Sequence, residues 1–461
     1  MPALRRWPKL SAGRKGILAI LSGTAGAQLI LLLSSPVLGR LFAPEQFGPF
    51  AVANALLIPA AVIMALRFEL AIPLPRRDDD ARELLALGMR ICAFVTVALL
   101  ATVLLAKSWF ASLLGLSPDD ANILMWVPLT AGAMGAFVLL NQTAIRLKMY
   151  AAIARRNVLQ AAGVVFFQLS AGLLGLGAHG LAGGLLLGQL VGVWALLAAV
   201  RGELGPSDAA ARRSLAREYR RFPLIMAPSG LVNSLGLQAP VLLASSVFGA
   251  TVAGWLGMTQ RVLAMPVALF GVSVAQVFLG EFAEARRHDR GGLRRQFVKT
   301  SRTLIAVGAL GALVLLAAGP LLFRIFLGEE WEASGEYARA LAPALMLQLV
   351  ASPLSQTLVV MGRLGWQATW DVGRLLLCAG AVLGGAAMGL PPLQTTWLLS
   401  GAMVLSYAAL WGLSLAAVGE SRGEGLPQRD RTTPRRRRSC HPARRSARQS
   451  ADHAERPAAG R

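Results

Sequence analysis

Few residues in this chain of 461 could do chemistry, and most of them are basic. Arg67, Arg261 and Arg374 each stand inside a long apolar run, as do the carboxylates Glu69 and Asp371. A charge at the centre of a bilayer helix costs ~2.5–3.5 kcal/mol on insertion scales, so such residues face a cavity or a partner. Asp371 and Arg374 are three residues apart and can pair on one helix face; the pair is as readily structural as functional. Arg67 and Glu69 lie near the end of their run, where long side chains reach the interface, and a structural role is favoured there. Arg261 has no carboxylate within one turn. It either pairs across to another helix or contacts a ligand. Taken together, the excess of arginine points to an anionic group passing through, because a guanidinium presents a fork that suits phosphate. Amides at Gln28, Asn54, Gln238, Gln260 and Gln348 could add hydrogen bonds to hydroxyls or bridge helices.

Other patterns do not lead to chemistry. Gly175 to Gly180 match G-x-G-x-x-G, but no strand is predicted before them and an apolar run lies on each side, so no dinucleotide site is expected. His179, His288, His441 and His453 have no second ligand at metal spacing. Asp78, Asp79 and Asp80 are flanked by Arg76, Arg77 and Arg82 and read as a solvated, self-neutralised turn. Asn141-Gln142-Thr143 spells a glycosylation sequon inside an apolar run and is accidental. Cys92, Cys378 and Cys440 are too scattered for a disulfide scaffold or a zinc site. No catalytic residues, metal or cofactor are expected.

The elements that hold the charged residues follow from composition. Residues of the hydrophobic class make up 55% of the chain and mean hydropathy is +0.55, yet the formal charge is +22. That excludes a disordered chain and argues against a soluble enzyme. A membrane span needs about 20 apolar residues. Twelve such stretches occur, at roughly 16–38, 46–70, 84–106, 121–145, 157–177, 180–200, 222–248, 252–278, 303–327, 338–361, 365–388 and 395–417. With both termini cytoplasmic, 39 of the 46 Lys and Arg fall in the inside segments, as the positive-inside rule requires. The first stretch follows basic residues 1–15 and reads as an uncleaved helix rather than a signal peptide. The expected organisation is a basic N-terminus (1–15), helices 1–6 (16–200), an inter-lobe linker (201–221), helices 7–12 (222–419) and an Arg-rich tail (420–461).

A duplication crosses the linker. LFAPEQFGPFAVANAL from Leu41 aligns with VFGATVAGWLGMTQRV from Val247 at an offset of 206, matching Phe42 to Phe248 and Gly48 to Gly254. An offset of six helices preserves orientation, so the halves would be parallel repeats with a substrate site between them near the midplane. Gly184, Gly188 and Gly192 form a small-residue stripe read as packing. The tail has no Phe, Tyr or Trp and is expected to be disordered and to meet anionic lipid, not nucleic acid.

Five segments carry a resemblance: SSPVLGRLFAPEQFGPFAV (Ser34–Val52), LRFELAIPLPRRDDDARELLALG (Leu66–Gly88), YRRFPLIMAPSGLVNSL (Tyr219–Leu235), GMTQRVLAMPVALFGVSVAQVF (Gly257–Phe278) and Leu327–Arg363. Over residues 16–418 the chain resembles the O-antigen and lipopolysaccharide type of polysaccharide biosynthesis flippase, within the multidrug/oligosaccharidyl-lipid/polysaccharide exporter superfamily. The resemblance implies an all-α integral membrane protein whose two six-helix bundles form a V around a central cavity. It implies a non-enzymatic transporter in the bacterial inner membrane that flips a polyprenyl-pyrophosphate-linked oligosaccharide, driven by an ion gradient, of protons or sodium, or by the membrane potential. Other polysaccharide export components are further candidate partners. Arg67 and Arg261 fall in shared motifs and become the first candidates to hold pyrophosphate or sugar; Arg374 is matched less securely. Asp371 and Glu69 remain coupling or structural charges. The rival readings are a multidrug exporter of the same fold, a membrane glycosyltransferase or polymerase, and a scaffold subunit of an export complex.

Overall fold

The computed structural model describes residues 12–203, 208–263 and 292–420. Residues 1–11, the second part of the 252–278 stretch and the tail from 421 lie outside them, with His288, His441, His453 and Cys440. Each of the twelve expected stretches falls mainly within helices over its described part. These are α1 (Ala12–Leu41), α2 (Pro44–Met64), α3 (Asp78–Leu113), α4 (Trp126–Arg146), α5 (Tyr150–Leu173) and α6 (Gly177–Val200), then α8 (Ala227–Phe248) and α9 (250–263). The series ends with α10 (Gly292–Leu327), α11 (Glu332–Leu354), the short α12 (Gln356–Val360), α13 (Leu364–Ala387) and α14 (Pro392–Glu420). No strand occurs among the described residues. Among the described residues ten helical segments are long and apolar enough to cross a membrane. Large apolar side chains such as Phe94, Leu105 and Leu173 face outward, as suits a lipid environment and not water. The chain is an all-α, multi-pass membrane protein.

Several boundaries differ from the sequence reading, each for a local reason. Helix α2 stops at Met64 instead of running to 70, because Leu66 and Arg67 both adopt left-handed backbone, with φ of 47° and 63°. Outside glycine that conformation costs roughly 1–2 kcal/mol per residue, so packing must hold it. Helix α3 begins at Asp78, six residues before the expected start; Asp78, Asp79 and Asp80 occupy its first turn, where carboxylates complement the helix dipole. The linker is not merely polar chain. It contains α7 (Ala209–Glu218), capped by the Asp208 side chain, which accepts from the N–H groups of Ala210 and Ala211. A buried ion pair, Arg212 to Glu83 at 3.1 Å, seats α7 on α3.

The helices group by contact. In the first bundle α1 packs on α5, α5 on α6, α6 on α4, and α4 on both α2 and α3. In the second, α8 packs on α13, α13 on α14, α14 on α11, and α11 on α10. The glycine stripe explains the closeness of α5 and α6. A methyl on Gly184 would meet Gln168, one on Gly188 would meet Val164, and one on Gly192 would meet Arg156 and Gln160. Between the bundles α2 lies against α8, and the start of α2 lies against the start of α9. Further cross-bundle contacts close the end of the molecule away from α7: Trp331 Nε1 donates to the Gly39 carbonyl at 2.7 Å, and Ser245 Oγ donates to the Leu114 carbonyl at 2.6 Å.

Candidate functional site

Beyond their close contact, α2 and α9 part, and a cavity of about 310 Å³ opens between the bundles. Helices α1, α2, α5 and α6 wall one side; α8 and α9 wall the other. Arg261 is the one charged residue among its described lining, and Gln28, Asn54, Gln168, Gln238 and Gln260 share the wall with it. A second cavity of about 320 Å³ lies beside it within the second bundle and includes Gln348, Arg374, Cys378 and Tyr407. Gln238 and Gln260 line both, so the two cavities meet at a pair of amides.

The three candidate arginines occupy three different environments. Arg261 Nη2 donates to Gln168 Oε1 at 3.4 Å, and its Nε is buried without a hydrogen-bond partner. No carboxylate among the described residues pairs with it. A guanidinium withdrawn from water without a counter-charge is costly, so an anion entering this cavity brings the counter-charge that none of the described residues provides.

Arg374 is already matched. It lies 3.6 Å from Asp371, donates from Nη2 to Asn233 Oδ1 at 3.3 Å, and sits 4.7 Å from the ring centre of Trp370. The pairing within α13 read from the spacing is therefore present, and the charge facing the second cavity is largely offset.

Arg67 lines neither cavity. Its guanidinium is 3.6 Å from Glu69 Oε1 and packs into the space left by Gly230 on α8, at the α7 end of the inter-bundle seam. Glu69 is buried, with Oε2 unpartnered. The structure thus brings Arg261 and Arg374 to neighbouring cavities and leaves Arg67 outside them.

The remaining motifs keep bland roles. Asp78 pairs with Arg146 at 2.8 Å, and Asp79 with Arg82 at 3.2 Å, at the exposed start of α3 and not in a loop. His179, in the first turn of α6, accepts from Trp126 Nε1 at 3.0 Å.

Two residues escaped the sequence reading. Arg156, which falls between the stretches expected at 121–145 and 157–177, is buried on α5 with its guanidinium carbon 3.2 Å from the ring centre of Phe137. Gln168, also on α5, is fully buried; its Nε2 donates to the Leu181 carbonyl at 2.9 Å while Oε1 faces Arg261. The one local signal for both was the glycine stripe on α6, which marks the face where α5 must approach.

Comparison with known proteins places this architecture. Residues 37–336, well over half of the chain, match the model of a family described as polysaccharide biosynthesis protein. The chain is similar to the teichuronic acid biosynthesis protein TuaB of Bacillus subtilis, 24% identical over 161 residues, covering 35% of this chain and 33% of the relative. It is also similar to the succinoglycan biosynthesis transport protein ExoT of Rhizobium meliloti, 25% identical over 385 residues, covering 80% and 72%. The matched region spans only about a third of TuaB. Among solved structures, the lipid II flippase MurJ in an inward closed conformation aligns with a TM-score of 0.69 at 11% identity, covering 89% of this chain and 91% of that one. An inward-facing multidrug resistance MATE family transporter of the MOP superfamily aligns with a TM-score of 0.60 at 14% identity, covering 88% and 96%. At such identities the two structures establish a shared fold. The family match goes further, and on it the chain belongs to the polysaccharide biosynthesis protein family.

Proposed function

We propose that this protein is a flippase that moves a polyprenyl-pyrophosphate-linked oligosaccharide across the bacterial cytoplasmic membrane for surface polysaccharide biosynthesis, whether O-antigen, capsule or exopolysaccharide. The observation that carries the reading is Arg261: one arginine with no carboxylate partner among the described residues, ringed by amides, in a cavity between two helical bundles. The guanidinium suits a phosphate and the amides suit sugar hydroxyls. The names of the relatives, concerned with teichuronic acid and with succinoglycan transport, agree with it.

In this reading residues 16–200 and 222–419 are two lobes joined by 201–221, and they rock against each other, parting and rejoining at the α2–α9 contact, to expose the cavity to alternate sides. The α7 end is cytoplasmic, because Lys and Arg concentrate there. A proton or sodium gradient, or the membrane potential, would drive the cycle, and other export components would hand over the substrate. The work is binding and movement, with no bond made or broken. Arg374, at the second cavity and held by Asp371, is the secondary substrate contact; Arg67, held by Glu69 outside both cavities, would meet the substrate only at the α7 mouth of the seam. A multidrug exporter of the same fold would favour cations, which Arg261 repels.

The test is complementation of a strain lacking its O-antigen or capsule flippase. Wild type should restore polymer, Arg261→Lys should restore part of it, and Arg261→Ala should restore little. Normal polymer from Arg261→Ala would sink the reading.

A further inference from the structure

Arg261 and Gln168 stand on opposite bundles, and their contact has a direction. Gly184 on α6 has no side chain, and that absence lets the Gln168 segment of α5 press against α6. Gln168 is thereby fully buried, and its amide nitrogen is committed to the Leu181 carbonyl at 2.9 Å. With its nitrogen held, the amide can turn only its oxygen toward the cavity. That oxygen accepts from Arg261 Nη2 at 3.4 Å. An acceptor that carries no charge orients the guanidinium without neutralising it, and Arg261 Nε has no partner of its own.

We propose that Gln168 is the positioning residue of the anion site: it holds the Arg261 fork across the seam between the bundles, with the remaining donors turned to the cavity. This inference rests on the flippase reading and deepens it. Because Gln168 and Arg261 belong to different bundles, the site is complete only while the bundles are close at this level. Rocking them apart frees the guanidinium and weakens the hold on an isoprenyl pyrophosphate. A carboxylate in place of the amide would instead supply a built-in counter-charge and compete with the ligand. The chemistry recognised is therefore a pyrophosphate or phosphate ester, and the discrimination lies in Gln168 being an amide.

The experiment uses the full-length protein in detergent, with farnesyl pyrophosphate as the charged probe and farnesol as its uncharged control. Binding is followed by titration calorimetry for wild type, Gln168→Glu, Gln168→Met, Arg261→Gln and the double variant Gln168→Glu/Arg261→Gln. Gln168→Glu should weaken the pyrophosphate probe about tenfold or more, as expected when a charged ligand contact is contested. Gln168→Met, which removes the orienting acceptor together with the donor to the Leu181 carbonyl and adds no charge, should weaken it several-fold, and farnesol binding should be unchanged in both. In the double variant the two losses should fall well short of adding, because both act through one guanidinium. In a vesicle flipping assay Gln168→Met should raise the half-saturating substrate concentration more than it lowers the maximal rate, a split that a general loss of packing would not give. If Arg261→Gln weakens the charged probe while Gln168→Glu leaves it at the wild-type value, or weakens farnesol equally, the positioning role is wrong and the flippase reading stands. If Arg261→Gln itself binds the charged probe normally, both fall.

Discussion

Gly48 and Gly254 lie face to face at the crossing of α2 and α9. A methyl on Gly254 would come within 2.6 Å of the Pro44 carbonyl oxygen and 3.0 Å of the Gly48 nitrogen, and one on Gly48 would run into the Ala250 carbonyl. The two glycines are 206 residues apart, as are Pro44 and Ala250, and the contact repeats where a methyl on Gly257 would meet Ala51, its own counterpart. Equivalent residues touching each other mark an approximate two-fold axis running between the two helices. The duplication read from LFAPEQFG and VFGATVAG thus has a physical counterpart in the packing. Two steps further along the same faces, Asn54 and Gln260 line the cavity.

This contact should act as the seal at the end away from α7. Gly254→Leu cannot be accommodated without parting the bundles, so transport should fall to background and Gly48→Ala should give a partial loss. With the native cysteines replaced and a single cysteine placed at Asn54, Gly254→Leu should speed its labelling by a membrane-impermeant thiol reagent applied from that side. Unchanged labelling would show that the seal lies elsewhere.

Trp331 contributes to the same closure in two ways that substitution can separate. It is fully buried, donates to the Gly39 carbonyl at 2.7 Å, and meets Phe47 edge to face with ring centres 5.5 Å apart. Trp331→Phe keeps most of the ring contact and removes the hydrogen bond, for a loss of about 0.5–1.5 kcal/mol. Trp331→Ala removes both, for about 3–5 kcal/mol. Thermal unfolding in detergent should rank wild type above Trp331→Phe above Trp331→Ala; equal melting of the last two would refute the separation.

Arg67 and Glu69 should behave as a structural pair before they behave as a site. Arg67→Ala leaves a buried carboxylate without its counter-charge, a change of order 3 kcal/mol in buried pairs. Adding Glu69→Gln to Arg67→Ala should recover much of that stability, which melting temperatures would reveal. Arg261 has no such partner among the described residues, and Arg261→Ala should lower probe binding with little change in melting.

Glu83 and Arg212 tie the linker helix to the first bundle. Arg212→Met should release α7 from α3, so that trypsin cleaves sooner at Arg213 and Arg217, while Glu83→Gln, which can still accept from the Asp208 N–H, should have a smaller effect. Identical digestion patterns for wild type and Arg212→Met would argue that α7 is held by other contacts.

The elements were legible where one-dimensional patterns decide them. Twelve apolar stretches, the turn at Gly249 and the small-residue face of α6 all follow from runs and spacings that a bilayer imposes directly. Arg261 could be singled out because no carboxylate lies within its own turn, a local property. What escaped depends on other helices. Arg156 reads as a loop charge until Phe137 of α4 covers it, and Gln168 reads as an unremarkable polar break until Leu181 and Arg261 fix its two ends. Arg67 fits its motif, yet the left-handed turn at Leu66 and Arg67 directs it toward Gly230 and not toward the cavity. Hydropathy reports how deep a residue lies, not which neighbour it meets.

The glycine face of α6 also bears on how the chain enters the bilayer. Helix α5 carries Arg156, Asn157, Gln160 and Gln168 and is not among the segments apolar enough to cross alone, whereas α6 is. Arg156 in the second turn of α5, with the amides of Asn157, Gln160 and Gln168 beyond it, lowers the insertion propensity, and α5 has little apolar surplus to offset them. Helix α6, joined to it by a three-residue turn, presents Gly184, Gly188 and Gly192 to those very positions. The two are expected to integrate as one hairpin, so a nascent chain ended at 175 should leave α5 unlodged in glycosylation mapping and one extended to 203 should bring it in. In that role α6 is a chaperone encoded in cis, and a bulky residue at Gly192 would show itself first as failed biogenesis.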